Sequence, residues 1–203
     1  SGWHQGRDKK FRIVGPKGTK EFFQNMLKAF KNELQGRVQW EQRPNKDGLD
    51  YEITEINSDY AYKNLNLEII PFEVDHYPVE PAYGYQIKVS DTEKEKKVVI
   101  SGDTRKNENL INHAMDADAL VHEVFINLKF DENRMSKKTI SNVRDYHTSP
   151  KEIGEIAKAA NVKKLILTHF VPPVFDEDFL TKEIRESYKG NLIIGEDLLT
   201  IEI

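Results

Sequence analysis

Three histidines and one aspartate fall where apolar segments end, a pattern that could bind a metal ion. His76 follows IIPFEVD, His122 follows DALV and His169 follows KKLILT, and Asp103 comes directly after VVISG. In α/β folds the strand ends at one edge of the sheet form the ligand crevice, so these side chains are expected to converge there. Imidazole nitrogens and carboxylate oxygens suit zinc or a similar divalent ion.

Each of these positions, taken alone, has an ordinary structural explanation. A single histidine at a strand end is more often a buried imidazole that is hydrogen-bonded to the backbone. An aspartate in a Gly-Asp-Thr turn, such as Asp103, more often caps the following helix. The four residues together are harder to explain in this way. Two histidines and one aspartate supply the nitrogen and oxygen ligands that suit zinc or a similar divalent ion, and a carboxylate can bridge two metal ions.

His147 stands at the beginning of a helix and has a different argument. It precedes TSPKE, in which Ser149 can be the N-cap, Pro150 the first helical residue and Glu152 the second half of a capping box. A histidine beside such a rigid junction can donate a proton or stabilise a developing oxyanion. Glu123 is the candidate carboxylate partner that would tune the proton affinity of His147. The alternative is that Glu123 only pairs with a surface lysine.

The first half of the chain predicts a strand, a helix and then several strands. FRIVG (residues 11–15) is typical of a strand, and a helix is expected from about Thr19. Between residues 51 and 99 the apolar period changes towards two, which predicts adjacent, antiparallel strands. The apolar side chains of the first helix recur at helical spacing and are expected in the core: Phe22, Phe23, Met26, Leu27, Phe30 and Leu34.

The second half predicts alternating helices and strands, the pattern of a sheet covered by helices. Residues 127–145 are polar and poorly patterned, so a surface loop is expected there. His113 is expected on the polar face of its helix. Helices are predicted for NENLINHAM, SPKEIGEIAKAANV and DEDFLTKEIRESYKG, the last ending at Gly190, and strands for ADALVHEVF, KKLILTHF, NLIIG and LLTIEI.

Composition limits what kind of protein this is. The 203 residues suffice for a substantial core, and no linker divides them, so one domain over residues 1–203 is expected. The net charge of -4 argues against a general nucleic-acid binder. With no cysteine, any metal must be held by histidine and carboxylate. No apolar run reaches the roughly 20 residues of a membrane span, so no membrane partner is expected. A cytoplasmic location is favoured, with export left open if a leader is missing.

Four motifs in order carry a resemblance to a known family. VDHYPVEPAYGYQI, VVISGDTR, DADALVHEVF and YHTSPKEIGEIAKAANVKKLILTHF look like the later motifs of the metallo-β-lactamase superfamily, most closely its ribonuclease Z and arylsulfatase-like branch. The resemblance runs from about Val74 to the C-terminus, and GPKGT (residues 15–19) also fits. Each motif is modestly specific, and four in order make a strong match.

The resemblance implies an αββα sandwich and a metal-dependent hydrolase that uses a metal-bound hydroxide on a phosphodiester or related ester. Asp103 would bridge two divalent ions, with zinc favoured over manganese or iron. His76 would complete the first metal shell and His169 the second. His147 would be the acid or transition-state stabiliser oriented by Glu123. The catalytic set implied by the resemblance also includes the histidine of the His-Glu element: His122.

The sequence departs from the family in one major respect. The signature string His-x-His-x-Asp-His, which supplies four of the usual seven ligands in the family, does not occur in these 203 residues. The chain is therefore expected to be about the C-terminal two thirds of a complete domain, poor at binding metal by itself and inactive alone. The rival hypothesis is a non-catalytic remnant of the same ancestry that serves as a binding or subunit-contact domain. The missing strands would also expose a sheet edge and part of the core, so the chain alone is expected to aggregate or to need the absent segment as a partner, with a homo-oligomer left open.

A second departure concerns the substrate. The family's ribonuclease Z members carry a long tRNA-binding arm between the Gly-Tyr strand and the Ser-Gly-Asp-Thr motif. Here only KVSDTEKEKKVV lies between them, which is typical of a hairpin turn. A small-molecule ester or phosphodiester is therefore the expected substrate, and tRNA is less favoured.

Overall fold

The chain divides into two compact units, Ser1–Asn57 and Ser58–Ile203, and each is described by itself. The computed structural model describes residues 2–42, 47–90, 94–126 and 135–203. The first unit contains strand β1 (Phe11–Pro16), helices α1 (Thr19–Ala29) and α2 (Lys31–Glu41), a short 3-10 helix (Asp47–Leu49) and strand β2 (Tyr51–Ile56). The expectation of one domain over the whole chain stays a prediction.

The two strands of the first unit are parallel. β1 pairs with β2 from Phe11 opposite Tyr51 to Pro16 opposite Ile56. The strand predicted at FRIVG is confirmed, but the prediction that YEITEI joins the antiparallel run is wrong. The physical reason is the connection, because two helices lie between β1 and β2 and a long crossover returns the chain in the parallel direction.

The prediction that the apolar side chains of the first helix lie in the core is wrong. Phe22 is 71% exposed, Phe30 55% and Met26 37%, and neither α1 nor α2 contains a fully buried residue. The described residues of this unit form two strands, which offer little sheet surface for helices to cover, so a helical apolar pattern is not enough to bury the side chains of α1. The inner side chains of α1, including Phe23 and Leu27, line a cavity of about 710 Å³.

The second unit is built on a seven-stranded sheet in sequential order. Its strands are β3 (Tyr62–Asn64), β4 (Leu67–Val74), β5 (Ala82–Ser90), β6 (Glu95–Ile100), β7 (Ala119–Phe125), β8 (Lys164–Val171) and β9 (Asn191–Ile194). Neighbours are antiparallel from β3 to β6 and parallel from β6 to β9. The antiparallel run and the later alternation are thus confirmed for this unit.

Four helices accompany the sheet: α3 (Glu108–Ala114), α4 (Lys137–Asp145), α5 (Pro150–Ala159) and α6 (Glu177–Arg185). The core consists of residues from the central strands and from one face of α3, α5 and α6. It includes Val99, Leu120, Val124, Leu165, Leu167, Leu110, Ile153, Ile156, Leu180 and Ile184. Each such side chain stabilises the fold by about 1.5–3 kcal/mol, which fixes the carboxyl ends of the strands in place. No described helix could cross a membrane.

The prediction of a surface loop over residues 127–145 is wrong for the second part of that range. Residues 127–134 lie outside the described residues, but α4 occupies Lys137–Asp145. The Ser136 side chain caps this helix by accepting a hydrogen bond from the amide of Thr139. The cap residue, with Ile140 and Val143 three positions apart, was a helical signal within an otherwise polar stretch.

Three further expectations need correction. The strand predicted at LLTIEI is absent, since residues 198–203 form no strand and Leu198 is fully exposed in a left-handed conformation with φ 67°. Helix α6 ends at Arg185 rather than near Gly190. His113 packs against the sheet rather than lying on a solvated polar face, since it is half-buried and its ring stacks on that of the core residue Phe72 at a centroid distance of 4.2 Å.

Candidate metal centre

Asp103 lies in the turn that follows β6. Gly102 there has φ 64°, and a Cβ atom at this position would lie 2.8 Å from the carbonyl oxygen of Tyr83. Only glycine adopts this conformation without strain and fits against that carbonyl. The amide of Ser101 donates to the carbonyl of Val121 at 2.9 Å, which ties the turn to β7. The turn therefore sets the position of the Asp103 carboxylate.

His169 lies in a bulge of β8. His122 pairs with Leu167 and Val124 pairs with Phe170, so two residues of β8 face Glu123 alone on β7. His169 is the second of the two and has φ 46°, which is uncommon for a histidine. Bulges redirect side chains and are frequent beside active sites. Here the imidazole is brought to Asp103, with Nδ1 3.5 Å from Oδ1 of the carboxylate.

His147 precedes α5, and the capping box predicted there is confirmed. Ser149 accepts from the amide of Glu152, and Glu152 accepts from the amide of Ser149 at 3.0 Å, while Pro150 occupies the first turn. The amide of Phe125 donates to the carbonyl of Thr148 at 2.9 Å, so the segment is also attached to β7. His147 itself is buried on this fixed backbone.

Asp103, His147 and His169 converge. Each offers one ligand atom, and these atoms lie within 4.8 Å of one another. Two ligand atoms bound at 2.0–2.2 Å to one tetrahedral zinc ion are about 3.4 Å apart, which matches the 3.5 Å between His169 and Asp103. The donor set, one carboxylate and two imidazoles, also fits a divalent ion. The cluster is therefore a candidate metal centre.

His76 lies beside this cluster but is not one of its three members. Its ring centroid is 5.4 Å from that of His147. Its Nδ1 lies 2.9 Å from the backbone carbonyl of Tyr146. Metal-binding histidines commonly use one ring nitrogen in this way, which fixes the ring and leaves the other nitrogen for the metal.

Glu123 is buried in the floor of the site. Its Oε1 accepts hydrogen bonds from the amides of Thr148 at 2.9 Å and Thr104 at 3.3 Å. The same oxygen lies 3.2 Å from Nδ1 of His147, a close approach that is off the ideal hydrogen-bond direction. A carboxylate that is only 1% exposed needs such partners. The alternative that Glu123 pairs with a surface lysine is wrong.

The structure does not bring His122 into the cluster. The residue is fully buried, and Nδ1 lies 2.7 Å from the carbonyl oxygen of Glu123. Its Nε2 has no hydrogen-bond partner among the described residues. Adjacent residues of a strand project to opposite faces, so His122 points away from the face that Glu123 uses. Burial lowers the pKa of His122 and keeps the ring neutral, while Glu123 opposes this effect.

Arg105 is the feature of the site that the sequence did not reveal. Its guanidinium bonds the carboxylates of Asp75 at 2.6 Å and Asp145 at 2.9 Å. The hydrogen bond to Asp145 raises the pKa of Arg105, with a further contribution from Asp75 and some opposition from burial. Both partners are distant in sequence, so no local pattern could have identified them.

A cavity of about 520 Å³ adjoins His147. Its lining is largely polar and carries both signs of charge. The charged residues of the lining are Arg105, Lys106 and Arg144, with the carboxylates of Asp145 and Glu152. A cleft with cationic side chains beside a candidate metal centre suits an anionic substrate.

Comparison with known proteins decides the family. Residues 4–170 match the family model described as Beta-lactamase superfamily domain. The chain belongs to the metallo-β-lactamase superfamily. The α/β fold class expected from the sequence, the αββα metallo-β-lactamase fold, is thereby confirmed.

The metallo-β-lactamase relatives place the chain in the ribonuclease Z-like branch. It is 30% identical over 194 residues to a protein named Ribonuclease Z from Mycobacterium bovis, covering 94% of this chain and 66% of that protein. It is also 30% identical to a Putative ribonuclease Z from Mycobacterium tuberculosis, with coverage of 94% and 83%. The chain thus spans about two thirds of the length of the first of these relatives.

Solved metallo-β-lactamase structures show the same fold. The metallo-beta-lactamase fold protein YhfI from Bacillus subtilis has a TM-score of 0.62 at 21% identity, covering 95% of this chain and 65% of that one. Human tRNase Z, short form, has a TM-score of 0.60 at 18% identity, covering 97% and 69%. At such identities the likeness establishes the fold alone.

Proposed function

We propose that the protein is a metal-dependent hydrolase of phosphodiesters. The observation that carries the proposal is the convergence of Asp103, His147 and His169, whose ligand atoms lie within 4.8 Å of one another. The names of the ribonuclease Z relatives support the substrate class. A bound divalent ion would lower the pKa of a coordinated water and so supply a nucleophile at neutral pH.

Asp103, His76 and His169 are the proposed ligands. Asp103 would be the ligand common to two ions, with His76 among the ligands of one and His169 among the ligands of the other. Zinc is the proposed metal because the donors are nitrogen and oxygen. Three side chains do not fill two coordination shells, so the remaining positions would be taken by water or by other groups.

His147 is the proposed proton donor to the leaving oxygen. Oε1 of Glu123 lies 3.2 Å from Nδ1 of its ring, so the carboxylate would orient the imidazole. The other ring nitrogen is then free to deliver a proton to the substrate. For His122 we propose a positioning role, because its ring bonds the backbone carbonyl of Glu123 rather than facing the cluster.

The proposed substrate is a small phosphodiester rather than tRNA. Ser90 of β5 pairs with Glu95 of β6, so only four residues, 91–94, connect these strands. That connection leaves no room for a tRNA-binding arm. The cavity beside His147 offers Lys106 and Arg144 to an anionic group of the substrate.

The test is a hydrolysis assay on the protein expressed from its own gene, supplied with zinc. Bis(4-nitrophenyl) phosphate and a precursor tRNA serve as the two substrates. His169→Ala should reduce the rate by more than about 100-fold, since even outer partners of metal ligands contribute 10–100-fold. His113→Asn, outside the cluster, is the matched control and should retain activity.

The outcomes separate the hypotheses. Hydrolysis of the small ester alone supports the proposed substrate, whereas preferential cleavage of precursor tRNA overturns that part. A wild-type rate no faster than that of His169→Ala on either substrate contradicts the enzyme proposal and favours a non-catalytic binding domain.

A further inference from the structure

We propose that Arg105 is a positioning residue that aligns the loop carrying the proposed ligand His76 with the segment carrying the proposed proton donor His147. The inference rests on the proposed function, because it concerns a ligand of the proposed metal and the proposed proton donor. Arg105 follows Asp103 by two residues, so one turn would carry both a ligand and the residue that aligns the neighbouring loops.

The first group of hydrogen bonds joins Arg105 to the loop after β4, on both sides of His76. The backbone amide of Arg105 donates to the carbonyl of Asp75 at 2.8 Å. Its guanidinium donates from Nη1 to Oδ1 of Asp75 at 2.6 Å and from Nη2 to the carbonyl of Tyr77 at 3.3 Å. Asp75 and Tyr77 flank His76, so the ligand's backbone is restrained in both directions.

The second group of contacts reaches the end of α4. Nη2 of Arg105 donates to Oδ2 of Asp145 at 2.9 Å. Asp145 precedes His147 by two residues, and the carbonyl of the intervening Tyr146 lies 2.9 Å from Nδ1 of His76. The two loops are therefore joined twice, once through Arg105 and once through His76 itself.

The chemistry of the side chain explains why arginine suits this position. A guanidinium is a planar fork that can bond several acceptors in fixed directions, whereas a lysine ammonium is a single point of charge. Arg105 is only 25% exposed, while Asp75 and Asp145 are 52% and 75% exposed. Exposed ion pairs contribute little to overall stability, so the contribution expected of these bonds is local geometry.

Two simpler roles make different predictions. A surface ion pair without consequence for the site predicts that removing Arg105 changes neither metal affinity nor loop protection. A direct substrate contact from the cavity wall predicts a higher KM with unchanged metal affinity. The positioning role predicts weaker metal binding and faster local opening of both loops.

The experiment compares wild type with Arg105→Lys and Arg105→Met in the full chain. Zinc affinity is measured by competition with a chromophoric chelator, and amide hydrogen exchange is measured at residues 75–77 and 145–148 in the metal-free protein. Both variants should bind zinc about 10–100-fold more weakly and exchange faster at both loops. The lysine variant should not rescue binding, because it keeps the charge but loses the fork.

Lys163→Met is the matched control. Lys163 also bonds a carboxylate, that of Asp118 at 2.8 Å, but it lies beside the amino end of β8, opposite the end that carries His169. It should change neither measurement at the site. Unchanged zinc affinity in both Arg105 variants, or unchanged exchange at both loops, would overturn the inference.

The two proposals can fail separately. If the wild-type chain shows no zinc binding at all, the metal proposal fails, and hydrogen exchange in the metal-free protein still decides the role of Arg105. If wild type binds zinc and the Arg105 variants bind it equally well, only the positioning role fails.

Discussion

Nδ1 of His169 lies 3.5 Å from Oδ1 of Asp103, although the two residues follow strands that are not neighbours in the sheet. Strand β7 lies between β6 and β8, and its residue at this level is Glu123. The turn at Gly102 and the bulge at His169 bring the two side chains together across the end of β7. Irregular backbone on two regular strands thus creates the candidate metal centre.

The turn before Asp103 gives the first prediction. Gly102→Ala should destabilise the fold by about 1–3 kcal/mol, because alanine is strained at φ 64° and its Cβ would meet the carbonyl of Tyr83 at 2.8 Å. It should also weaken metal binding, since Asp103 must move with the turn. Chemical denaturation and a zinc titration provide the two measurements.

Gly36→Ala is the control for that substitution. Gly36 lies inside α2, and a Cβ there meets nothing within 4 Å. This change should stabilise the helix by about 0.5–1 kcal/mol and leave zinc binding unaltered. Equal effects of the two glycine substitutions would show that the turn geometry is unimportant.

Glu123→Gln tests the partner of His147. The glutamine side chain keeps the shape of the carboxylate and can still accept a hydrogen bond from the amide of Thr148, but it removes the negative charge that faces Nδ1 of His147. Hydrolysis should slow by about 100-fold or more with little change in zinc content. A full rate in the Gln variant would remove Glu123 from the proposed mechanism. The measurement is kcat with metal content determined on the same sample.

His147→Ala distinguishes a proton donor from a ligand. As the proposed donor, His147 can be lost with zinc content retained while kcat falls by about 100-fold or more. Because its ligand atom lies within 4.8 Å of those of Asp103 and His169, a ligand role predicts loss of zinc as well. Mass spectrometric metal analysis beside the kinetic assay decides, and loss of zinc would contradict the donor assignment.

Stability should fall in mild acid because of His122. Burial lowers the pKa of this residue in the folded state, whereas the unfolded value is about 6.5. Below that pH the unfolded chain takes up a proton that the folded chain does not, so the free energy of unfolding decreases by up to about 1.4 kcal/mol per pH unit. Above the unfolded pKa of about 6.5, His122 is neutral in both the folded and the unfolded chain, so protonation no longer reduces the free energy of unfolding.

The check is urea denaturation of metal-free wild type and His122→Gln between about pH 7.5 and about pH 5. The variant should show a shallower dependence on pH, even if its stability is lower throughout. His113 shifts in the same direction, because burial and then Lys97 lower its pKa, so some slope should remain. An identical slope in both proteins would remove His122 as its source.

Much of the second unit was predictable because its signals are local. The apolar runs of β7 and β8 and the capping box of α5 are complete within a few residues. The same locality placed Asp103 and His169 at strand ends. Helix α4 was missed because its weak apolar pattern is diluted by lysine, serine and asparagine.

What the sequence could not provide depends on long-range geometry. The apolar face of α1 has a helical period, but burial requires a surface to cover it, and Phe22 stays 71% exposed. The bulge at His169 and the bonds from Arg105 to Asp75 and Asp145 arise between distant segments. His122 and Glu123 are adjacent in the sequence and form one motif there. Successive side chains of a strand point to opposite faces of the sheet, so the two side chains point in opposite directions.

The central claim is that Asp103 and His169 hold a divalent metal. The most direct measurement is a zinc titration of the 203-residue chain and of Asp103→Asn and His169→Ala, followed by competition with a chelator. The account predicts measurable, weak binding by wild type that each substitution reduces by at least about 10-fold. Equal zinc affinity in all three proteins, or no binding by wild type, would contradict it.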